Sequence, residues 1–269
     1  MSTLTAARPA PADRVRQTLV IAGTVVAVIG AVVGSGLAGG TPIPKVAGGA
    51  LGPDATLLAP GGPAFAIWSV IYAGLIAYAI WQALPSQAAR ERQRRVGFWM
   101  LASLLLNAAW ILSVQAGQLG VSVVVIAALL VVLLAAFAVL RRHPSESWVD
   151  AVLLDGVVGL YLGWVIVATA ADVAAWLLTT DLLRLGGNPH AWAMGALAFL
   201  AVVGCILALA GRGRFTPALG SAWGLAWIGV ARLTGSLPSA PVAITAFAAA
   251  VLPLLVALAV RVTRRPRAR

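Results

Sequence analysis

Aromatic and polar residues recur at helical spacing in three apolar stretches of the chain. The three sets are Phe65, Trp68 and Tyr72; Asn107 and Trp110; and Tyr161, Trp164 and Asp172. Residues three, four, seven or eleven positions apart share one face of a helix. Belts of Trp and Tyr at the membrane surface would also explain such residues, and that account suits Trp99, Trp148, Trp176 and Trp192. Trp68, Trp110 and Trp164 lie deeper in their stretches, which favours a pocket between helices.

Two carboxylates, Asp155 and Asp172, fall within the apolar stretch 151–178. An ionisable group deep in a bilayer costs at least ~2.5–3.5 kcal/mol, so it usually faces a cavity or a partner. Asp155 lies only about one helical turn from the charged residues that precede it, which favours an interfacial position. Asp172 lies deeper, and we expect it to belong to a functional site or a polar network.

Sequence signatures of enzymes and metal sites are absent. The chain has no His-Glu-x-x-His, no Gly-rich phosphate loop and no Gly-x-Ser-x-Gly. Its single cysteine, Cys205, excludes an intramolecular disulfide and a thiolate-based metal site. Its single lysine, Lys45, lies outside the apolar stretches, which excludes a retinal Schiff base. We therefore expect no metal and no resident cofactor, and we favour a protein that is not an enzyme, although this question stays open.

The elements that position these residues are long apolar helices. The 269 residues are 61% hydrophobic and only 10% charged, with a mean hydropathy of +0.96. A hydrocarbon core about 30 Å thick requires roughly 20 residues of helix, and charge-free runs of that length recur along the sequence. We predict an all-α integral membrane protein with eight transmembrane helices in the lipid bilayer. The helices are expected near residues 17–39, 65–83, 97–114, 119–140, 151–178, 190–210, 217–232 and 241–260.

The distribution of Lys and Arg predicts the orientation of these helices. Basic residues gather in the cytoplasmic loops of membrane proteins. Of the 19 Lys and Arg, all but Lys45, Arg184 and Arg232 lie in alternate loops and at the two ends. This predicts cytoplasmic tails at 1–16 and 263–269, in what we expect to be a bacterial plasma membrane. Topology thus accounts for the net charge of +11, and nucleic acid is not an expected partner.

The patterns on the second and third predicted helices resemble the tryptophan-rich sensory protein family, also called the translocator or peripheral-type benzodiazepine receptor family (TspO/MBR). In that family a proline-rich loop precedes Phe-x-x-Trp-x-x-x-Tyr. Here residues 60–63 read Pro-Gly-Gly-Pro and precede the matching stretch Phe65–Tyr72. The family's Asn-x-x-Trp is matched by Asn107 and Trp110.

The fifth predicted helix carries the third match. The family reads Pro-Tyr-x-x-Trp-x-x-Phe-Ala-x-x-Leu-Asn, and Tyr161 and Trp164 occupy the corresponding aromatic positions. Leu160, Val167 and Asp172 replace the family's Pro, Phe and Asn.

The resemblance implies a five-helix unit over residues 17–178 and a three-helix extension over 179–262. It implies a hydrophobic ligand, a porphyrin or related tetrapyrrole, inside the five-helix bundle, with a sensory, regulatory or transport role. The implied binding residues are Phe65, Trp68, Tyr72, Asn107, Trp110, Tyr161, Trp164 and Asp172. We expect the five-helix unit to be self-sufficient and the extension to be an appendage, and a homodimer stays open.

Two other functions stay open. Eight helices, Asp172 at depth and a Gly- and Pro-containing seventh stretch are compatible with a proton-coupled secondary transporter. An enzyme that oxidises a bound tetrapyrrole is the third reading.

Overall fold

The computed structural model describes residues 9–37, 39–180 and 187–263, so Arg184 and parts of both predicted tails lie outside the described residues. Within these ranges the chain forms eight long helices and no β-strand. The helices are α1 (Pro11–Gly34), α2 (Ile67–Ala83), α3 (Glu91–Gln115), α4 (Leu119–Arg142), α5 (Val157–Thr179), α6 (Pro189–Ala210), α7 (Phe215–Thr234) and α8 (Ala240–Thr263). Shorter helical segments at Gly62–Ala66, Pro85–Ala88, Trp148–Asp150 and Ala151–Gly156 precede α2, α3 and α5.

Seven of these helices, taken with the short segments that lead into α2 and α5, are long and apolar enough to cross a membrane. The exception is α7, whose glycines and Arg232 lower its hydropathy, and which packs against both α5 and α8. The predicted all-α membrane fold is confirmed, and each long helix occurs where an apolar run predicted one.

Two helices begin earlier than their apolar runs predicted. α1 begins at Pro11, inside the predicted tail 1–16, because the Asp13 carboxylate caps its first turn with a hydrogen bond of 2.9 Å to a main-chain N–H. α3 begins at Glu91 instead of near residue 97. Both first turns contain charged residues, which a search for apolar runs omits.

The first five helices close a ring in the order α1, α2, α5, α4, α3. The predicted hairpin between α3 and α4 is present, and Gly117 turns it with a φ of +70°, a left-handed conformation that favours glycine. Within the ring, α1 separates α3 from α2, and α4 separates α3 from α5. Side chains of α2, α3 and α5 therefore meet across the centre of the ring.

The three C-terminal helices pack on one another, and α7 packs on α5 of the ring. A Cβ atom on Gly163 of α5 would overlap the main-chain oxygen of Pro217, and a Cβ atom on Gly220 of α7 would overlap that of Leu160. Such close backbone contact at small residues is typical of helix pairs in membranes. The five-helix unit therefore shares a close interface with the extension, and its self-sufficiency stays a prediction.

One end of the bundle collects arginines from the alternate loops. Arg92 of α3 forms ion pairs with Asp150 (2.5 Å) and Asp155 (2.6 Å), and Arg214, immediately before α7, pairs with Asp155 (2.5 Å). Asp155 lies in the π-helical segment Ala151–Gly156 and joins the ring to the extension. The predicted clustering of basic loops is thus present, and the side that faces the cytoplasm stays a prediction.

Candidate ligand-binding site

Trp68 is the centre of an aromatic cluster inside the ring. Its ring centroid lies 5.7 Å from that of Tyr72, one helical turn further along α2. It lies 6.3 Å from Trp110 of α3, with the two ring planes only 26° apart. From α5, Tyr161 and Trp164 approach Trp68 edge-on at 5.8 and 6.1 Å. The three helices that carry the predicted site residues therefore converge on one indole.

The Pro-Gly-Gly-Pro sequence before α2 positions Phe65. Proline suits the first turn of a helix because it lacks the N–H that would have no partner there. The chain passes through the 3₁₀ turn Gly62–Ala66, and the Phe65 ring contacts the edge of Trp164 at 5.9 Å.

Asp172 is a buried carboxylate held by α3 and α4. Nε1 of Trp110 donates to one of its oxygens at 3.3 Å, and Oγ of Ser122 lies 3.0 and 3.1 Å from the two oxygens. Asp172 is 1% exposed. Among the described residues, no basic side chain forms an ion pair with it. The carboxylate thus belongs to a small polar network in the interior of the bundle, in agreement with the expectation of a polar network.

Two further polar features accompany the aromatic rings. The Tyr72 hydroxyl donates to Oδ1 of Asn107, which joins α2 to α3. The indole N–H groups of Trp68 and Trp164 are buried and have no acceptor in the described part of the chain. Most buried donors in proteins have a partner, so these two are available to a ligand.

Two cavities that share lining residues lie against the cluster. The larger has a volume of about 460 Å³ and lies between α1, α2, α3, Ser35 and residues 42–44. The smaller has a volume of about 30 Å³ and reaches Asp172. The shared lining residues are Ile43, Phe65, Trp68 and Trp110. Small-molecule sites typically measure about 300–1,000 Å³, so the larger cavity has the size of a ligand site.

The larger cavity opens between α1 and α2. Val32 of α1 and Ser69 and Ile76 of α2 line it and are also exposed on the outer surface of the bundle.

The structure brings all eight predicted residues into one cluster. Six of them line the cavities: Phe65, Trp68, Tyr72, Trp110, Trp164 and Asp172. The other two lie behind these residues, Asn107 against the Tyr72 hydroxyl and Tyr161 against the Trp68 ring. Their role in binding stays a prediction.

Sequence reasoning missed several lining and supporting residues. Val28 and Val32 of α1 and Ile43 and Thr56 of the loop line the cavities, but nothing distinguishes such residues from other apolar or loop residues. Ser122 could have been found, because polar residues inside membrane helices often bond across to a neighbouring helix.

The charge around the cavities limits what they can bind. Of the residues that the structure describes, no basic side chain lines either cavity, and Asp172 is the only carboxylate that does. No group of three His, Cys, Asp or Glu among the described residues could hold a metal ion. The arrangement therefore suits an apolar, flat molecule with a few hydrogen-bonding atoms.

Comparison with known proteins identifies the family. The model of the TSPO-like protein family matches residues 19–259, which include both the ring and the three C-terminal helices. Neither curated proteins nor solved structures gave a match. Because the matched region covers most of a chain whose helices carry these aromatic patterns, the protein belongs to the TSPO-like family.

Proposed function

We propose that this membrane protein binds a flat hydrophobic molecule, a porphyrin or related tetrapyrrole, in a sensory, regulatory or transport role. The observation that carries this proposal is the pair of Trp68 and Trp110. Their rings lie 26° from parallel and border both cavities, one of which measures about 460 Å³. Indoles offer large flat apolar faces, on which an aromatic macrocycle stacks.

The unpaired donors of the cluster support a ligand that carries hydrogen-bond acceptors. A buried donor without a partner costs about 1–3 kcal/mol, and both Trp68 and Trp164 have such an N–H. Imine-type ring nitrogens and carbonyl oxygens of a tetrapyrrole would accept from these groups and remove that cost. A purely hydrocarbon ligand would leave it in place.

The carboxylates of a porphyrin require a position outside the apolar cavity. Pro42, Ile43 and Pro44 form one end of the larger cavity, and the next residue, Lys45, is exposed. We therefore place the propionate groups at this end, at the membrane surface, where charged groups keep their water.

Equilibrium titration of the purified full chain with protoporphyrin IX tests the proposal. A macrocycle stacked on Trp68 and Trp110 should quench tryptophan emission in a saturable manner. A flexible apolar compound without a ring system serves as the control and should not produce this quenching. Quenching that does not saturate, or that is equal for both compounds, would exclude the proposed site.

A proton-coupled transporter is the second candidate, and Asp172 favours it. This buried carboxylate borders the smaller cavity and has no ion-pair partner among the described residues. Proteoliposomes with an imposed proton gradient provide the test. Porphyrin-dependent proton flux that disappears in Asp172→Asn would support transport, and binding without flux would support the sensor.

A further inference from the structure

The loop segment 53–64 forms part of the wall of the smaller cavity. Thr56, Ala59 and Pro60 line this cavity next to Trp164 and Asp172. Thr56 and residues 58–61 are buried, so the middle of the segment lies inside the protein, while Asp54, Gly62 and Pro63 are exposed. A buried loop needs hydrogen-bond partners for its main-chain groups, and the neighbouring helices must supply them.

Helix α7 of the C-terminal extension supplies these partners from its middle to its end. Midway along α7, Nε1 of Trp223 donates to the oxygen of Ala64 (2.8 Å), and one turn later the oxygen of Trp227 accepts from the N–H of Gly61 (3.1 Å). Near its end, Arg232 donates from Nη1 to the oxygen of Thr56 (3.0 Å) and from Nη2 to that of Pro53 (2.7 Å). The segment and α7 thus run side by side, and each of these hydrogen bonds involves a main-chain group of the segment.

Arg232 is an unusual residue for this task. Its side chain is 0% exposed, and it forms no ion pair with the described residues. A buried charge is costly unless it is hydrogen-bonded. Here two carbonyl oxygens accept from Nη1 and Nη2, while Nε is buried without an acceptor among the described residues. Lysine could not reproduce this geometry, because its ammonium is a point charge without a planar fork.

Asp54 adds a second connection to the extension. Its Oδ1 accepts from the main-chain N–H of Ser236, immediately after α7, at 3.2 Å. Hydrogen bonds from Ser236 and, to a smaller extent, the charge of Arg232 lower the pKa of the Asp54 carboxyl. The group therefore stays ionised at neutral pH, and this contact persists there.

We propose that Arg232 is a positioning residue for the ligand site, and that α7 is a structural part of that site. Arg232 holds segment 53–64 where Thr56, Ala59 and Pro60 close the cavity beside Asp172. The effect on ligand affinity rests on the proposed function, whereas the placement of the segment does not.

Cysteine accessibility tests the placement without any ligand. The full chain carries Cys205→Ser and Thr56→Cys, so that the only thiol is at a buried position of the segment, and a maleimide reports its exposure. Arg232→Gln should raise the labelling rate by roughly tenfold or more, the effect of losing a hydrogen bond to a charged group. Leu233→Ala is the matched control, because Leu233 is the adjacent residue and is 56% exposed. Its labelling rate should equal that of the parent.

Binding of protoporphyrin IX by the Arg232 variants, made in the chain that retains Thr56 and Cys205, tests the consequence for the site. Arg232→Gln should weaken binding, and Arg232→Lys, which keeps the charge, should fall between Arg232→Gln and the parent in both assays. If Arg232→Gln does not fold, Arg232→Lys replaces it. Unchanged labelling in a folded variant overturns the positioning role, and raised labelling with unchanged affinity overturns the link to the site. If the parent itself does not bind protoporphyrin IX, the proposed function fails, and labelling still decides the placement.

Discussion

At the scale of single residues, Trp110 combines two properties that a binding site needs. Its ring borders both cavities, and its N–H donates to the buried Asp172 at 3.3 Å. The hydrogen bond fixes the orientation of the indole, so its flat face is held ready for a ligand. Preorganisation of this kind lowers the entropy that binding would otherwise cost.

The first prediction concerns this side chain. Trp110→Ala should weaken protoporphyrin IX binding by about 2–4 kcal/mol, the usual cost of removing a buried aromatic anchor, or roughly 30- to 1,000-fold in affinity. Trp148→Ala should have almost no effect, because Trp148 is 77% exposed at the start of the segment before α5. Titration by tryptophan quenching measures both. Equally small losses of affinity in both variants would mean that the aromatic cluster contributes to packing and does not bind the ligand.

At the scale of elements, glycine decides how closely α5 and α7 approach. Gly163 and Gly220 each face main-chain atoms of the other helix, and this contact places α7 directly behind Trp164. Without a side chain between them, the two backbones attract one another through dispersion forces that lipid does not replace. The packing behind the aromatic cluster therefore depends on Gly163 and Gly220, which have no side chain that could bind a ligand.

The second prediction follows from this contact. Gly163→Ala adds a methyl group where the oxygen of Pro217 already lies, and it should destabilise the protein by about 1–3 kcal/mol, as overpacking usually does. Gly195→Ala in α6 is the control, because a Cβ atom there would meet nothing within 4 Å. Thermal unfolding in detergent compares the two. If both variants have the melting temperature of the parent protein, the close α5–α7 contact does not contribute to stability as predicted.

The third prediction concerns the ion pairs at the arginine-rich end. Arg92→Ala leaves Asp150 and Asp155 without this buried partner and should cost about 3–5 kcal/mol, because Arg92 is only 5% exposed. Arg95→Ala removes an exposed pair with Glu91 and should leave the stability almost unchanged, because solvent screens such a pair. The same melting assay measures both. Similar small shifts would show that the buried pairs contribute no net stability.

At the scale of the whole molecule, the ion pairs and the α5–α7 contact join eight helices into one body. Arg214 and Asp155 connect the extension to the ring at one end of the bundle, while Arg232 connects it to the loop that precedes α2. Removal of the extension would therefore expose the glycine face of α5 and leave carbonyl groups of segment 53–64 without donors.

The fourth prediction is that a chain ending at Leu178 will not bind protoporphyrin IX with the parent's affinity. It loses α7 and with it the hydrogen bonds to residues 53, 56, 61 and 64. Titration of the purified truncated chain is the measurement, with its helix content compared by circular dichroism. A folded truncated chain that binds as tightly as the parent would restore the sequence-based expectation of a self-sufficient five-helix unit.

The fifth prediction is that both termini are cytoplasmic. The described arginines of the alternate loops, such as Arg92, Arg94 and Arg214, lie at one end of the bundle, and such residues stay in the cytoplasm during insertion. Reporter tags at each terminus, read out in cells, measure the orientation. A C-terminal tag on the outer side would contradict both the even number of spans and the charge rule.

The sequence by itself determined the helices and the faces that carry the aromatic residues. The thickness of the bilayer sets the length of an apolar run, and helical periodicity places Phe65, Trp68 and Tyr72 on one side of α2 whatever the neighbours are. Both are local properties, so one chain suffices to find them. The motifs on α2, α3 and α5 were also sufficient to indicate the family.

Only the tertiary structure decided how those faces meet and what supports them. In the ring, α1 lies between α3 and α2, and α4 lies between α3 and α5. The side chains of α3 therefore meet those of α2 and α5 only across the centre of the ring. The cavity needs Val28 and Val32 of α1, which resemble any lipid-facing valines, since lipid and protein interior are equally apolar solvents. In the sequence, Arg232 is only a basic residue near the end of a predicted helix. In the structure it is buried and donates a hydrogen bond to Thr56, 176 residues away. Such contacts depend on packing between distant helices, which neither hydropathy nor periodicity encodes.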